Sequence, residues 1–106
     1  MSAPVVSSPV TMSDPSAERP EVMFVRFLLD ADTSPGLLSR LLHPYAKRDL
    51  VPDRMWSHRA GETVHVEIAM EAMPSEYVHV VEGNLRQVIG VRTVSRVSRP
   101  CLREVA

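Results

Sequence analysis

Few residues in this chain are equipped for chemistry. It carries four histidines, His43, His58, His65 and His79, and a single cysteine, Cys101. One cysteine forms no disulfide within the chain and no cysteine-based metal cluster. A nucleophile needs an activating base and an ordered site, and Cys101 lies in a segment that reads as a frayed tail. No nucleophile–base spacing, carboxylate pair or phosphate-cradling loop stands out. No catalytic residue and no cofactor are therefore expected. His58 and His65 fall on neighbouring strands, where two imidazoles can approach zinc, but Glu67 is the only evident third ligand. A solvated or interface-packed face is the expectation there, with no metal. His43 and His79 fall on helices and are expected at the surface.

The run Ala31-Asp32-Thr33-Ser34-Pro35-Gly36 carries more information. Ser34 suits a helix N-cap and Pro35 the first helical position. Gly36, without a Cβ, lets a ligand or another backbone approach closely. The first N–H groups of a helix lack partners and carry partial positive charge, which suits a carboxylate. Asp32 is placed to balance an ammonium. The same residues also suit a purely structural, well-capped helix start, and the sequence leaves both readings open.

These groups must be positioned by regular elements. Val22 to Asp30, VMFVRFLLD, is a dense apolar run of strand type. Leu38, Leu41, Leu42 and Tyr45 follow at helical spacing, with Pro44 expected to kink or shorten that helix. From Val51 the period becomes two, with Val51, Asp53, Met55 and Ser57 on one face and Pro52, Arg54, Trp56 and His58 on the other. Ala60-Gly61 is the expected hairpin turn, which sets Trp56 opposite His65 with His58 diagonal. In the next strand Val64, Val66, Ile68 and Met70 point inward, and Thr63, His65, Glu67, Ala69 and Glu71 outward. Pro74-Ser75-Glu76 opens a second helix with Tyr77, Val80, Val81, Leu85 and Val88 as its stripe. After Gly90, a last strand places Val91, Thr93, Ser95 and Val97 on one face and Arg92, Val94 and Arg96 on the other.

Strand, helix, strand, strand, helix, strand is the order of a ferredoxin-like βαββαβ fold of the α+β class. Four antiparallel strands carry both helices on one face, with the first and third strands central. Residues 1–20, rich in Ser and Pro, read as a disordered tail, 21–98 as the domain and 99–106 as a C-terminal tail. Trp56, with Arg54 and His65, occupies the open sheet face. Tryptophan is enriched at interface hot spots, so these three are the expected docking residues; the alternative is a Trp56 lying flat on its own sheet beside Arg54.

The chain has 106 residues and a formal net charge of -1. It is neither basic enough for nucleic acid nor supplied with RNA-stacking aromatics in the third-strand segment VHVEIAM. No segment reaches the roughly 20 apolar residues of a membrane span. Neither nucleic acid nor membrane is an expected partner, and the cytoplasm is the expected location. A domain this small has a limited core, which favours a homodimer.

The segments FVRFLLDADTSPGLLSRLLHPYAKRDLVPDRMWS and ETVHVEIAMEAMPSEYVHVVEGNLRQVIGVRTVSRV resemble the ACT domain family. Within it, the segments RMWSHRAGETVHVEIAM and LRQVIGVRTVSRV look closest to the short regulatory subunit of acetolactate synthase. The resemblance implies a non-enzymatic module that binds an amino acid, or modulates a biosynthetic enzyme such as acetolactate synthase in branched-chain amino-acid synthesis. It implies a ligand site at Asp32, Thr33, Ser34, Pro35, Gly36, Leu37 and Val51. Thr33 stands where the family often has Asn or Asp. Val51 stands where a ligand-contacting Asn often begins the second strand. Those departures leave room for a role exerted on an acetolactate synthase catalytic subunit. The alternatives are a free-standing small-molecule sensor and, further off, a small enzyme built on a ferredoxin-like dimer.

Overall fold

In the computed structural model, which describes residues 21–101, alternate residues of the first strand are buried: Val25, Phe27, Leu29 and Ala31. A period of two gives that strand, β1 (Val22–Asp32), one core face and one open face. It is followed by α1 (Leu37–Ala46), β2 (Arg54–Ala60), β3 (Thr63–Pro74), a 3₁₀ turn (Ser75–Tyr77), α2 (Val78–Arg86) and β4 (Val91–Pro100). The strands form one antiparallel sheet in the order β2-β3-β1-β4. This is the ferredoxin-like arrangement read from the sequence, with the first and third strands central. The readings of 1–20 and 102–106 as tails lie outside the described residues.

Phe27, Leu29, Val66, Ile68 and Met73 of the sheet pack with Leu41 and Tyr45 of α1 and Val81 and Leu85 of α2, all less than 2% exposed. Glu82 of α2 pairs with Arg86 at 2.8 Å and with Arg96 of β4 at 3.0 Å, tying the helix to the strand it precedes.

Several boundaries differ from the sequence reading, each for a local reason. Ser34 does not cap α1. Residues Ser34 to Leu37 form a type II turn, with Gly36 at φ 79 and ψ 0 and the Leu37 amide donating to the Ser34 carbonyl at 3.2 Å. The proline-glycine pair thus serves a turn, and the helix starts one residue after the glycine. Pro44 lies inside α1 and is buried, and the helix ends two residues beyond it. It closes in a Schellman motif: the Leu50 amide donates to the Tyr45 carbonyl at 2.9 Å and the Asp49 amide to the Ala46 carbonyl at 3.1 Å. Asp49, at φ 58, occupies the left-handed position that glycine usually fills.

The hairpin turn is Gly61-Glu62, not Ala60-Gly61, because a two-residue type II′ turn needs positive φ at its first central residue and Gly61 has φ 67. Moving the turn by one residue moves the pairing by two. Trp56 therefore faces Glu67, and His58 faces His65. The second strand starts at Arg54, leaving Val51 outside it and 79% exposed. On α2, Val78 replaces Val80 in the buried stripe, with Val80 43% exposed, because the 3₁₀ turn resets the helical phase. On β4, an extra residue between the partners of Asp30 and Ala31 turns Val91 to the same side as Val94. β4 also runs to Pro100, two residues into the segment read as tail, pairing with Met23 and Phe24.

An L-residue in the left-handed region costs about 1 kcal/mol relative to glycine. Asp49→Gly is accordingly expected to stabilise the protein by about 1 kcal/mol, seen as a higher urea midpoint at unchanged slope. A lower midpoint would count against a strained Asp49.

Candidate functional site

The end of β1 is clamped between two loops. The Asp32 amide donates to the Gly90 carbonyl at 2.8 Å, and the Thr33 amide to the Glu62 carbonyl at 2.8 Å. Arg92, the extra residue of the β4 bulge, aims its Nε at Asp32 Oδ1 over 2.7 Å. Arg40, one turn into α1, donates to the Pro35 carbonyl at 3.2 Å, to Ser34 Oγ at 3.0 Å and to the Ile89 carbonyl at 3.5 Å. Beside them lies a concavity of about 280 Å³ lined by Asp32, Thr33, Arg59, Gly61 and Glu62.

Of the residues expected to bind a ligand, Asp32 and Thr33 line this concavity and Ser34, Pro35 and Gly36 form the adjoining turn. Leu37 is buried in the core. Val51 is not brought to this site. β2 opens at Arg54 opposite Ala69, whereas Asp32 lies opposite Thr63 at the other end of β3. Sequence reasoning missed Arg40, Arg59, Glu62 and Arg92. Arg40 had a signal, a basic residue one helical turn beyond Gly36; Arg92 depends on a bulge that no spacing announces. The mouth holds carboxylates and guanidiniums beside a helix start that no side chain caps. Such an arrangement can take a carboxylate on one side and an ammonium on the other.

The open face forms a second group, and it brings Arg54, Trp56 and His65 together as expected. Its rows run Arg54–Ala69–Arg26–Val97, Trp56–Glu67–Leu28–Ser95 and His58–His65–Asp30–Thr93. His65 bridges two carboxylates, with Nδ1 3.0 Å from Asp30 and Nε2 3.0 Å from Glu67. Those two hydrogen bonds, Asp30's first, raise the His65 pKa above its ordinary value, and the same contact lowers that of Asp30. Thr93 Oγ1 also donates to Asp30, at 3.1 Å. The Trp56 ring stacks beside His58, with centroids 6.2 Å apart, and meets His65 edge-on at 5.8 Å. Both His65 nitrogens are taken by carboxylates, and among the described residues no three His, Cys, Asp or Glu side chains are arranged to hold a metal ion. His43 and His79 are exposed on the helices.

The element order and strand order are those of a βαββαβ domain. The chain belongs to the ACT-like domain family, whose sequence profile matches residues 18–100. Its fold is similar to the ACT domain of the GTP pyrophosphokinase of Chlorobium tepidum. The crystal structure of that domain gives a TM-score of 0.62 at 14% identity, covering 72% of this chain and 99% of that one. The solution structure of the same domain gives 0.56 at 14% identity, covering 70% and 84%. The regulatory subunit of aspartate kinase from Thermus flavus gives 0.49 at 13% identity, covering 76% of this chain and 52% of that one. Comparison with curated protein sequences finds no match. Among the described residues, no helix is long and apolar enough to cross a membrane.

The Asp30–His65 pair gives a pH signature. A raised histidine pKa stabilises the fold below the unfolded value of 6.5 and ceases to do so as pH rises through the folded value. A lowered aspartate pKa stabilises above 3.8 and ceases to do so as pH falls through the folded value. The melting-temperature gap between wild type and His65→Gln should therefore be widest between pH 3.8 and 6.5 and close on both sides. A gap independent of pH would show that His65 contributes by packing alone.

Proposed function

We propose that this protein is a non-catalytic regulatory subunit that works as a homodimer in the cytoplasm. It takes an amino-acid-like effector at the mouth of β1 and modulates a biosynthetic enzyme. The sequence resemblance makes the acetolactate synthase catalytic subunit the first partner to test. The observation that carries this reading is the mouth itself: Asp32, Glu62 and Arg59 around a concavity of about 280 Å³, beside the Pro35-Gly36 turn. A zwitterion matches that mixture of charges. Leu38 and Ile89, 42% and 81% exposed, supply apolar surface near the same end for a second copy. A non-catalytic role is supported by His65, the best-placed general base, having both ring nitrogens engaged by carboxylates. Partner docking is assigned to the open face around Trp56, which is 52% exposed.

The test is a thermal-shift screen of the full chain against the twenty amino acids and a set of 2-oxo acids. A compound that binds only the folded state stabilises it by about 2.7 kcal/mol at one hundred times its Kd. One or a few amino acids should raise the melting temperature, and Gly36→Ala should abolish the shift. A Cβ there would stand 3.3 Å from Arg40 Nη1, on a backbone at φ +79. No shift with any compound would overturn the effector reading. Failure of the acetolactate synthase catalytic subunit to bind the protein would overturn the choice of partner.

A further inference from the structure

The open face carries a second concavity, of about 230 Å³, at the end of the sheet away from the mouth of β1. Side chains come in rows from that end inward. Glu71, Phe24 and Arg99 stand first, then Arg54, Ala69 and Arg26, then Trp56, Glu67 and Leu28. The charges in the first two rows are under-used. Arg26 has one long contact, 3.5 Å to Glu67, and its Nε is buried without an acceptor. Arg54, Glu71 and Arg99 have no ion-pair partner among the described residues. Arg99 instead lies 4.1 Å over the Phe24 ring. Guanidiniums with spare donors call for carboxylates, and a free carboxylate calls for a cation.

The chain itself supplies such groups beside this face. β1 enters the sheet at the same end, where the Ser75 amide donates to the Glu21 carbonyl at 3.0 Å. Residues 1–20 precede it, and their charged side chains are Asp14, Glu18 and Arg19. Counted back from Glu21, Arg19 comes first, then Asp14, then Met12 and Val10. Counted inward along the sheet, Glu71 comes first, then the row of Arg54 and Arg26, then Trp56. The groups of the segment thus follow the same order as their complements on the face. The reach suffices. Arg26 lies five residues beyond Glu21, about 17 Å at the rise of a strand. The seven residues from Glu21 back to Asp14 can span about 23 Å.

We propose that the segment before β1 docks on the open face of its own sheet. Arg19 meets Glu71, Asp14 lies between Arg54 and Arg26, and Met12 and Val10 cover Trp56, which is 52% exposed. Exposed ion pairs are individually weak. The tether compensates, because a segment joined to the sheet at Glu21 stays at high effective concentration over it. The cover is therefore reversible, and a partner that docks at Trp56 competes with it. The proposal stands on the open face alone and does not rest on the effector reading of the mouth.

Trp56 is the chain's only tryptophan and Cys101 its only cysteine, so both ends of the contact can be addressed singly. The full chain is prepared with Cys101→Ser and Ser8→Cys, a nitroxide is attached at residue 8, and isotope labelling reads the indole N–H resonance of Trp56. The nitroxide should broaden that resonance until it is lost. Asp14→Arg and Glu71→Arg should each bring it back. Glu71→Arg combined with Arg19→Glu should lose it again, because that pair is rebuilt with its charges exchanged. Far-UV circular dichroism checks that the Glu71 variants keep their sheet, and Asp14→Arg lies before β1, where the sheet is not at risk. A Trp56 resonance left sharp by the nitroxide overturns the proposal. So does broadening that neither Asp14→Arg nor Glu71→Arg relieves, or a failure of the exchanged pair to restore it. Nitroxide-bearing chains are also mixed with isotope-labelled chains that lack the nitroxide. Broadening in that mixture assigns the face to a second copy and overturns the proposal; its absence, with broadening in the single chain, supports it.

Discussion

Strand β1 is hydrogen-bonded to β3 along one edge and to β4 along the other. A strand held on both sides cannot rotate, so Val25, Phe27, Leu29 and Ala31 must lie beneath the helices, and Phe24, Arg26, Leu28 and Asp30 must lie on the face the helices leave bare. The core and both candidate sites follow from that division. The mouth is where β1 ends, and the open-face groups are those its outward residues and their cross-strand neighbours bring together.

Polar residues on the bare face satisfy one another in rows. Asp30, His65 and Glu67 form a continuous chain, joined by Thr93 on one flank and Arg26 on the other. These contacts are partly exposed, so each adds little to stability. Their larger effect is on orientation. They fix the edge against which Trp56 rests, while Arg54, on the outer strand, has no ion-pair partner among the described residues.

The order of elements, the central position of β1 and β3, and most of the core were legible because they rest on periodicity. Alternating Val64, Val66, Ile68 and Met70, and Leu41 and Tyr45 of α1, are buried as the spacing says, whereas Leu38 of the same expected stripe is 42% exposed and Leu37 takes its place in the core. What escaped depended on single residues that break periodicity. A one-residue bulge at Arg92 put its guanidinium on Asp32. Another in β3 left Ala72 exposed and returned Met73 to the core, where strict alternation would bury Ala72. Gly61, rather than Ala60, heads the hairpin turn, and that shift replaced a Trp56–His65 pairing by a His58–His65 one. The stop of α1 was hidden because aspartate, not glycine, holds its left-handed position. The mouth was only half visible. Its loop could be read from Pro35-Gly36, but the arginines that meet it arrive from α1, β2 and β4.

Arg40 belongs to the first crossover, between β1 and β2, while Ile89, whose carbonyl it reaches, belongs to the second, between α2 and β4. One side chain therefore grips the Ser34-Pro35 turn and the loop before β4 at the same time. Mechanically it is a yoke across the two halves of the domain. The turn before α1 and the loop before β4 are thereby joined directly, by a path that does not run through the sheet.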